Sequence, residues 1–251
     1  MAFFFEVLIN GLLVGIMYSL VALGFALIYK ASDVFNFAQG DMSLLAGLAL
    51  VGFLTVMPLW LALLCTVVVM IILAYGTVYI IFRPLLARPP LILFMAAIGL
   101  SFLVQGIGQA IWGTDAKGLN IGIPDVPIEV AGIFISTFDL TFGGVAAVLV
   151  AGLIWFFQKT RTGRALRAVS DDHEAALSVG IPLLRAWAVT WVIAGIVATV
   201  AGVAWGTRLG VQFSLSLIAL KALPVLILGG IDSILGAILA GLLVGAGENL
   251  A

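Results

Sequence analysis

Few side chains in this sequence could do chemistry, and their placement limits what that chemistry can be. Asn36, Gln39 and Asp41 stand in Phe35-Asn36-Phe37-Ala38-Gln39-Gly40-Asp41-Met42, inside an otherwise apolar run from Phe35 to Val56. Lys221 lies four residues into a second apolar run, Leu217 to Leu228, and Asp232 follows it in Gly229-Gly230-Ile231-Asp232-Ser233. An aspartate at a bilayer centre costs about 2.5–3.5 kcal/mol on insertion scales. Such a residue therefore faces a cavity or a partner and is a functional candidate by default. Gly40 can break a helix, with Gly40 or Asp41 capping the piece Met42 to Val56. A half-helix beginning at membrane depth exposes free N–H groups and the positive end of its dipole, which suits a carboxylate or carbonyl oxygen. The other reading leaves Asn36 and Asp41 at the membrane interface near Lys30. Lys221 either snorkels to an interface or neutralises a carboxylate in the interior. These groups hold charge and donate hydrogen bonds. They do not form a catalytic set.

Covalent and metal chemistry find no support. His173 is the only histidine and Cys65 the only cysteine, so neither has a companion at ligand spacing, and Cys65 reads as a small core residue. No G-x-x-x-x-G-K-[ST], H-E-x-x-H or G-x-S-x-G occurs. The sequence thus gives no catalytic residue, no metal site and no cofactor.

The elements that must position these groups follow from composition. Of 251 residues, 64% are hydrophobic and 9% charged, with a mean hydropathy of +1.30. A soluble domain carries about 25% charged residues. This is an all-α, polytopic transmembrane bundle in a single domain over 1–251, and the formal net charge of −1 gives no reason to expect nucleic acid. A spanning helix needs about 20 apolar residues. Glu6–Tyr29, Leu59–Phe82, Leu91–Trp112, Phe142–Phe157 and Trp187–Gly206 read as spans. Leu217–Leu228 and Ile234–Ala246 are two pieces parted by the double glycine, the first too short to cross alone. Short or glycine-interrupted segments in both halves of a transporter point to broken helices beside a substrate path, and their shared form suggests a repeat relating 11–56 to 195–248. Arg83–Pro90 reads as a loop because of its prolines. Gln105 and Gln109 share a helix face and suggest an interhelical hydrogen bond. Gly11 with Gly15, Gly236 with Ala240, and Gly241 with Gly245 have the small-x-x-x-small spacing of close helix pairs.

Two polar stretches set the orientation. Residues 158–185 hold five of the eleven basic residues, and 113–141 hold one lysine against Asp115, Asp125, Glu129 and Asp139. By the excess of Lys and Arg in cytoplasmic loops, 83–90 and 158–185 are placed in the cytoplasm. The loop 113–141 and the N-terminus are placed outside. Within 158–185, Asp171 and Glu174 have capping-box spacing and Gly180-Ile181-Pro182 is a stop signal. They bracket a helix of about eight residues, roughly 12 Å. It reads as a short capped docking helix with His173 on its surface.

At these residues a family resemblance emerges. Glu174-Ala175-Ala176-Leu177-Ser178-Val179-Gly180 resembles the E-A-A-x-x-x-G core of the cytoplasmic coupling loop of bacterial ABC importer permeases. Thr160 to Ala168 (T-R-x-G-R-A-x-R-A), Asn36 to Asp41 (N-F-A-Q-G-D) and Leu228 to Ala237 (L-G-G-I-D-S-I-x-G-A) narrow the resemblance to branched-chain amino acid permeases, with their urea and amide relatives. It covers nearly the whole chain. The resemblance implies that Arg164, Arg167, Asp171, Asp172, Glu174, Ala175, Ala176 and Gly180 meet an ATPase subunit. It implies a substrate path at Asn36, Phe37, Gln39, Gly40, Asp41, Lys221, Gly229, Gly230 and Asp232. It further implies a second, unlike permease, two ATP-binding subunits carrying ATP and magnesium, a periplasmic solute-binding protein, and residence in a bacterial inner membrane. Two departures stand out. The I-x-L-P element of the general importer motif is not evident after Gly180, and the family usually continues past Glu248-Asn249-Leu250-Ala251. An importer of urea or short amides would keep the same architecture. An ion-coupled carrier or channel would instead rest on Asp41 and leave the docking helix unexplained.

Overall fold

The computed structural model describes residues 2–86, 88–123, 126–130 and 133–251. Its helices are α1 Ala2–Ser32, α2 Gln39–Leu54, α3 Leu59–Gly76, α4 Pro90–Trp112, α5 Thr137–Lys159, α6 Arg161–Asp171, α7 His173–Ser178, α8 Leu183–Leu209, α9 Ile218–Gly229 and α10 Ile234–Leu250. A wide helical turn over Thr77–Phe82 and a 3-10 turn over Arg83–Leu85 prolong α3, and a 3-10 turn over Phe213–Leu217 leads into α9. Among the described residues, five helices are long and apolar enough to cross a membrane, and α9 and α10 form a pair bent by 117°. The all-α bundle with broken helices is the observed architecture.

The centre is built from α1 and α8, whose spanning windows are 83% and 72% buried, whereas those of α3, α4 and α5 are 33% or less. Hydrocarbon tails are as apolar as leucine, so burial alone does not sort helices inside a bilayer; close approach and polar links do. On α1 the close approach is literal. A Cβ built on Gly11 would stand 2.8 Å from the Gly245 carbonyl oxygen, and one on Gly15 would overlap the Gly241 carbonyl. Small residues therefore let α10 lie directly on the α1 backbone. Around α8, Trp187 and Trp191 pack on Phe82 with ring centroids 6.5 and 5.2 Å away.

Four expectations change. Residues 113–141 are not one loop: β1 Pro127–Val130 pairs antiparallel with β2 Ile133–Ser136, and α5 already begins at Thr137 because Ser136 caps it through the Asp139 N–H. Asp125 lies outside the described residues. The prolines of 83–90 do not exclude helix, since Pro90 occupies the first turn of α4, where its missing N–H has no helical partner to lose. The island 158–185 contains a second helix, α6, which buries Gly163, Leu166 and Val169 at three-residue spacing. The chain breaks before Gly40, at residues 33–38, and Asp33 has φ 52° there. Gly40 sits inside the first turn of α2 because a Cβ would overlap the Ser216 carbonyl and meet the Ala219 methyl at 2.7 Å.

Candidate functional site

At the end of the bundle where α1 finishes, Thr160 caps α6 by accepting the Gly163 N–H at 2.9 Å. The chain then turns at Asp172 into α7. Asp172, and not Asp171, is the cap: its Oδ1 accepts the Glu174 and Ala175 N–H groups, both at 2.9 Å, while Asp171 closes α6. The helix is six residues long, shorter than expected, because α6 takes the residues before it. Gly180, at φ 83°, adopts the left-handed conformation that ends it. The Gly180 N–H bonds the Leu177 carbonyl and the Ile181 N–H bonds the Ala176 carbonyl, satisfying two of the acceptors left open at the helix end. Ala176 is buried against the bundle, whereas Glu174, Ala175, Leu177 and Val179 face outward, as do Arg164 and Arg167. His173 is not a surface residue of this helix: its Nε2 lies 3.2 Å from the Ala31 carbonyl oxygen and its Nδ1 3.8 Å from Asp33. It ties α7 to the end of α1.

The first break forms a closed polar knot. Asn36 accepts the Ala38 N–H at 3.1 Å and donates to Gln39 Oε1 at 3.3 Å; Gln39 donates to the Ala194 carbonyl of α8 at 3.4 Å. Phe37 sits between Phe35 and Phe94, at 4.8 and 5.1 Å between centroids. One turn on, Asp41 is 3% exposed and accepts hydrogen bonds from Ser101 and, at 2.8 Å, from Gln105. Ser101 and Gln105 are i, i+4 on α4, hence on one face. The expected interhelical bond of Gln105 exists, with Asp41 as its acceptor. Ser101 was not legible as a partner: a serine in a span is unremarkable until the neighbouring helix is known.

The second break joins α9 to α10. Gly230 turns at φ 92°, Gly229 packs on Gly236, and Ser233 caps α10 by accepting the Gly236 N–H at 3.0 Å; Asp232 is exposed and does not cap. A cavity of about 230 Å³ joins Ser233 and Ile234 to Lys30, Gln158 and Arg167, at the end that carries α7. Both breaks lie toward the end that carries α7, since Asp33 faces His173 and Lys30 lines the cavity at the second. Gly40, inside α2 after the first break, meets the 3-10 turn that leads into α9. Lys221, on α9, pairs with Glu248 of α10 at 2.6 Å and reaches the Tyr18 hydroxyl at 3.3 Å. Glu248 and Tyr18 carried no signal in the sequence: one lies near the end of the chain, the other is a lone tyrosine in a long apolar run.

At the opposite end, Asn10 donates to the Phe134 carbonyl at 3.4 Å, so the hairpin sits over the beginning of α1. Arg208 and Asp139 form an ion pair at 2.7 Å there, beside a cavity of about 690 Å³ lined by Asn120, Phe138 and Thr207. Among the described residues no group of histidine, cysteine or carboxylate side chains could hold a metal ion.

This arrangement can hold charges at depth and present a small helix for docking. Comparison with known proteins gives a family. A family described as "Branched-chain amino acid transport system / permease component" matches residues 7–251. A high-affinity branched-chain amino acid transport system permease protein of Pseudomonas aeruginosa is 30% identical over 98% of this chain and 85% of its own length. The corresponding permease of Salmonella typhimurium is 29% identical over 99% of this chain and 86% of its own length. A fructose import permease protein of Rhizobium meliloti matches 42% of this chain at 32% identity. No solved structure matches.

Proposed function

The chain belongs to the family of branched-chain amino acid transport system permease components, and from that premise we propose that it is one membrane subunit of an ATP-driven importer of branched-chain and other hydrophobic amino acids. Its partners are a second, unlike permease, two ATP-binding subunits that carry ATP and magnesium and hydrolyse the nucleotide, and a periplasmic solute-binding protein. It resides in a bacterial inner membrane with α7 in the cytoplasm and the N-terminus in the periplasm. The basic residues at the α7 end support that orientation.

The observation that carries this reading is α7 itself. A six-residue helix has too little internal hydrogen bonding to persist alone, yet it is capped at both ends and held on α1 by His173. What it displays is a small, partly apolar surface with one carboxylate, Glu174. A carrier acting alone has no use for it. We assign α7 to a cleft on an ATPase, where Ala175 permits close approach and Glu174 meets a basic group. Arg164, Arg167 and Asp171 flank it. ATP-driven closure of the ATPases moves α7, and through His173 and Ala31 the motion reaches α1 and the break at 33–38. Asn36, Phe37, Gln39, Gly40 and Asp41 then belong to the moving wall of the path, with Gly229, Gly230 and Asp232 as the second flexible point.

The test is recovery of the complex in mild detergent. Wild-type chain should bring down two ATPase subunits and the second permease. Glu174→Lys should lose the ATPases and keep the second permease. Retention of the ATPases by that variant would remove α7 from the interface.

A further inference from the structure

Two cations at the α7 end have no counter-charge in the bundle. Among the described residues the ion pairs are His173 with Asp33, Arg208 with Asp139 and Lys221 with Glu248. Lys30 and Arg167 are in none of them, although Asp33 is three residues from Lys30 and Asp171 four from Arg167. Both line the cavity of about 230 Å³ that Gln158 and Ser233 complete. The four side chains come from four elements: the last turn of α1, α6, the last turn of α5 and the cap of α10. Lys30 is half-buried. Like charges gathered in one half-closed space repel, and a cation partly out of water is costly without a partner. An anion between the two removes both costs.

The place of the cavity selects the kind of anion. It lies where α1 and α5 end and α10 begins, so it stands at the membrane surface and not at mid-depth. Its remaining wall is apolar and includes Ile154 and Phe157 of α5 and Leu235 of α10. Leu235 is 60% exposed, and Trp155, beside Ile154, is 63% exposed. On spanning helices such side chains meet hydrocarbon, and a tryptophan at that level marks the interface. The cavity thus has one basic, hydrogen-bonding side and one side facing lipid tails. A free anion or an acidic peptide would use the first side alone. A phospholipid uses both, and basic pockets between helices on the cytoplasmic side suit its headgroup. The first turn of α10 adds the positive end of a helix dipole to the basic side.

We propose that this cavity holds the headgroup of an anionic phospholipid. The phosphate lies between the Lys30 ammonium and the Arg167 guanidinium, whose fork of N–H groups matches two phosphate oxygens. The Gln158 amide donates to a further headgroup oxygen, and an acyl chain follows Ile154 and Leu235. Of the two arginines beside α7, Arg167 then serves the membrane; Arg164 does not line the cavity. The bound lipid ties the end of α1 to α6 and to the start of α10, and so joins the docking corner to the second break. The site needs only that the chain spans a membrane, so it stands or falls apart from the importer reading.

The test is photo-crosslinking in the assembled, full-length complex, reconstituted in phosphatidylcholine membranes. Phosphatidylglycerol or phosphatidylcholine carrying a diazirine on one acyl chain is added, and the crosslinked peptides are identified by mass spectrometry. At the peptides holding Ile154 and Leu235, phosphatidylglycerol should exceed phosphatidylcholine by about tenfold or more, given two basic residues near the surface. At Phe102 of α4, 69% exposed and far from the cations in sequence, the two lipids should crosslink alike. Lys30→Gln with Arg167→Gln should abolish the preference while the ATPases and the second permease are still recovered. Lys30→Arg should keep it. Arg161→Gln, which removes an exposed charge outside the cavity, should keep it too. Equal loss in Arg161→Gln would reduce the site to general surface attraction and overturn it. So would a preference that survives the double variant, or none in the wild type. Crosslinks with neither lipid would mean that protein fills the cavity, which also overturns the proposal. Excess inorganic phosphate should leave the preference intact; its suppression would make this a free-phosphate site and remove the lipid. Leucine uptake is read on the same membranes. If the wild type moves no leucine and the preference holds, only the importer reading fails. If leucine moves and the preference is absent, only the lipid site fails.

Discussion

Asp41 is where sequence and structure meet most closely at the scale of single residues. A carboxylate in an apolar run was conspicuous from the start. What surrounds it was not, because its donors arrive from a helix 60 residues later: Ser101 and Gln105 on α4. Neutral donors and no cation surround the carboxylate, with Ser216 as a third partner; Ser101 and Gln105 make it a hydrogen-bonded link between α2 and α4, and α4 has little else burying it. Removing the acceptor should therefore cost more than removing one donor. Asp41→Ala leaves both Ser101 and Gln105 without this acceptor; both are half-buried, so the about 1–3 kcal/mol of a fully buried stranded group is an upper bound for each. Gln105→Leu strands only part of one carboxylate. A double-mutant cycle on Asp41 and Gln105, read by thermal unfolding in detergent, should give a coupling of roughly 0.5–2 kcal/mol, the range of interhelical hydrogen bonds in membranes. A coupling of zero would mean that the bond does not hold α4, and Asp41 would then have to be explained by the path alone.

At the scale of elements, the pair α1–α10 carries the clearest prediction. Its contact is backbone on backbone, with Gly11 and Gly15 facing Gly241 and Gly245. Gly15→Val puts a Cβ bearing two methyl groups where the Gly241 carbonyl already stands. No flexible side chain can yield there, so α10 must move away. The cost should reach or exceed the roughly 1–3 kcal/mol of overpacked cores, seen as a lower unfolding temperature and as loss of the Lys221–Glu248 pair that spans α9 and α10. Gly144→Val is the control, since nothing lies within 4 Å of its added Cβ. The small-residue spacing on both helices was readable, but their pairing was not, since 29 glycines offer many such spacings. The cap of α7 follows the same logic. Asp172→Ala frees two N–H groups at once and should weaken the helix by about 1 kcal/mol, visible as faster amide exchange at Glu174 and Ala175. Helix α6 escaped notice because half its residues are polar, and its three buried positions acquire meaning only when α5 folds back beside them: Gly163 packs directly on the backbone of Phe156 and Phe157.

Over the whole molecule, polarity is divided between two ends. Asn10 touches the hairpin and Ala31 touches α7. The 21 residues of α1 between them rise about 32 Å, close to the roughly 30 Å of a hydrocarbon core. Spans and ends were legible because hydropathy is a one-dimensional property. The hairpin, the Asp139–Arg208 pair and the meeting of Gly40 with the turn before α9 were not, because each joins segments that are far apart in sequence. The antiparallel bridge between Lys117 and Val211, two bonds of 2.9 and 2.8 Å, fastens the polar loop to the end of α8 and fixes which end it belongs to. Orientation in the cell then reduces to one experiment with opposite expectations at two exposed positions. In intact cells of a Cys65→Ser background, Asp115→Cys should react with a membrane-impermeant maleimide. Val179→Cys should react only after the membrane is opened, and less once the ATPases are bound. The reverse pattern would put α7 outside, beyond reach of any ATP-driven partner. Reaction of both from outside would mean that the 32 Å of α1 does not separate two compartments at all.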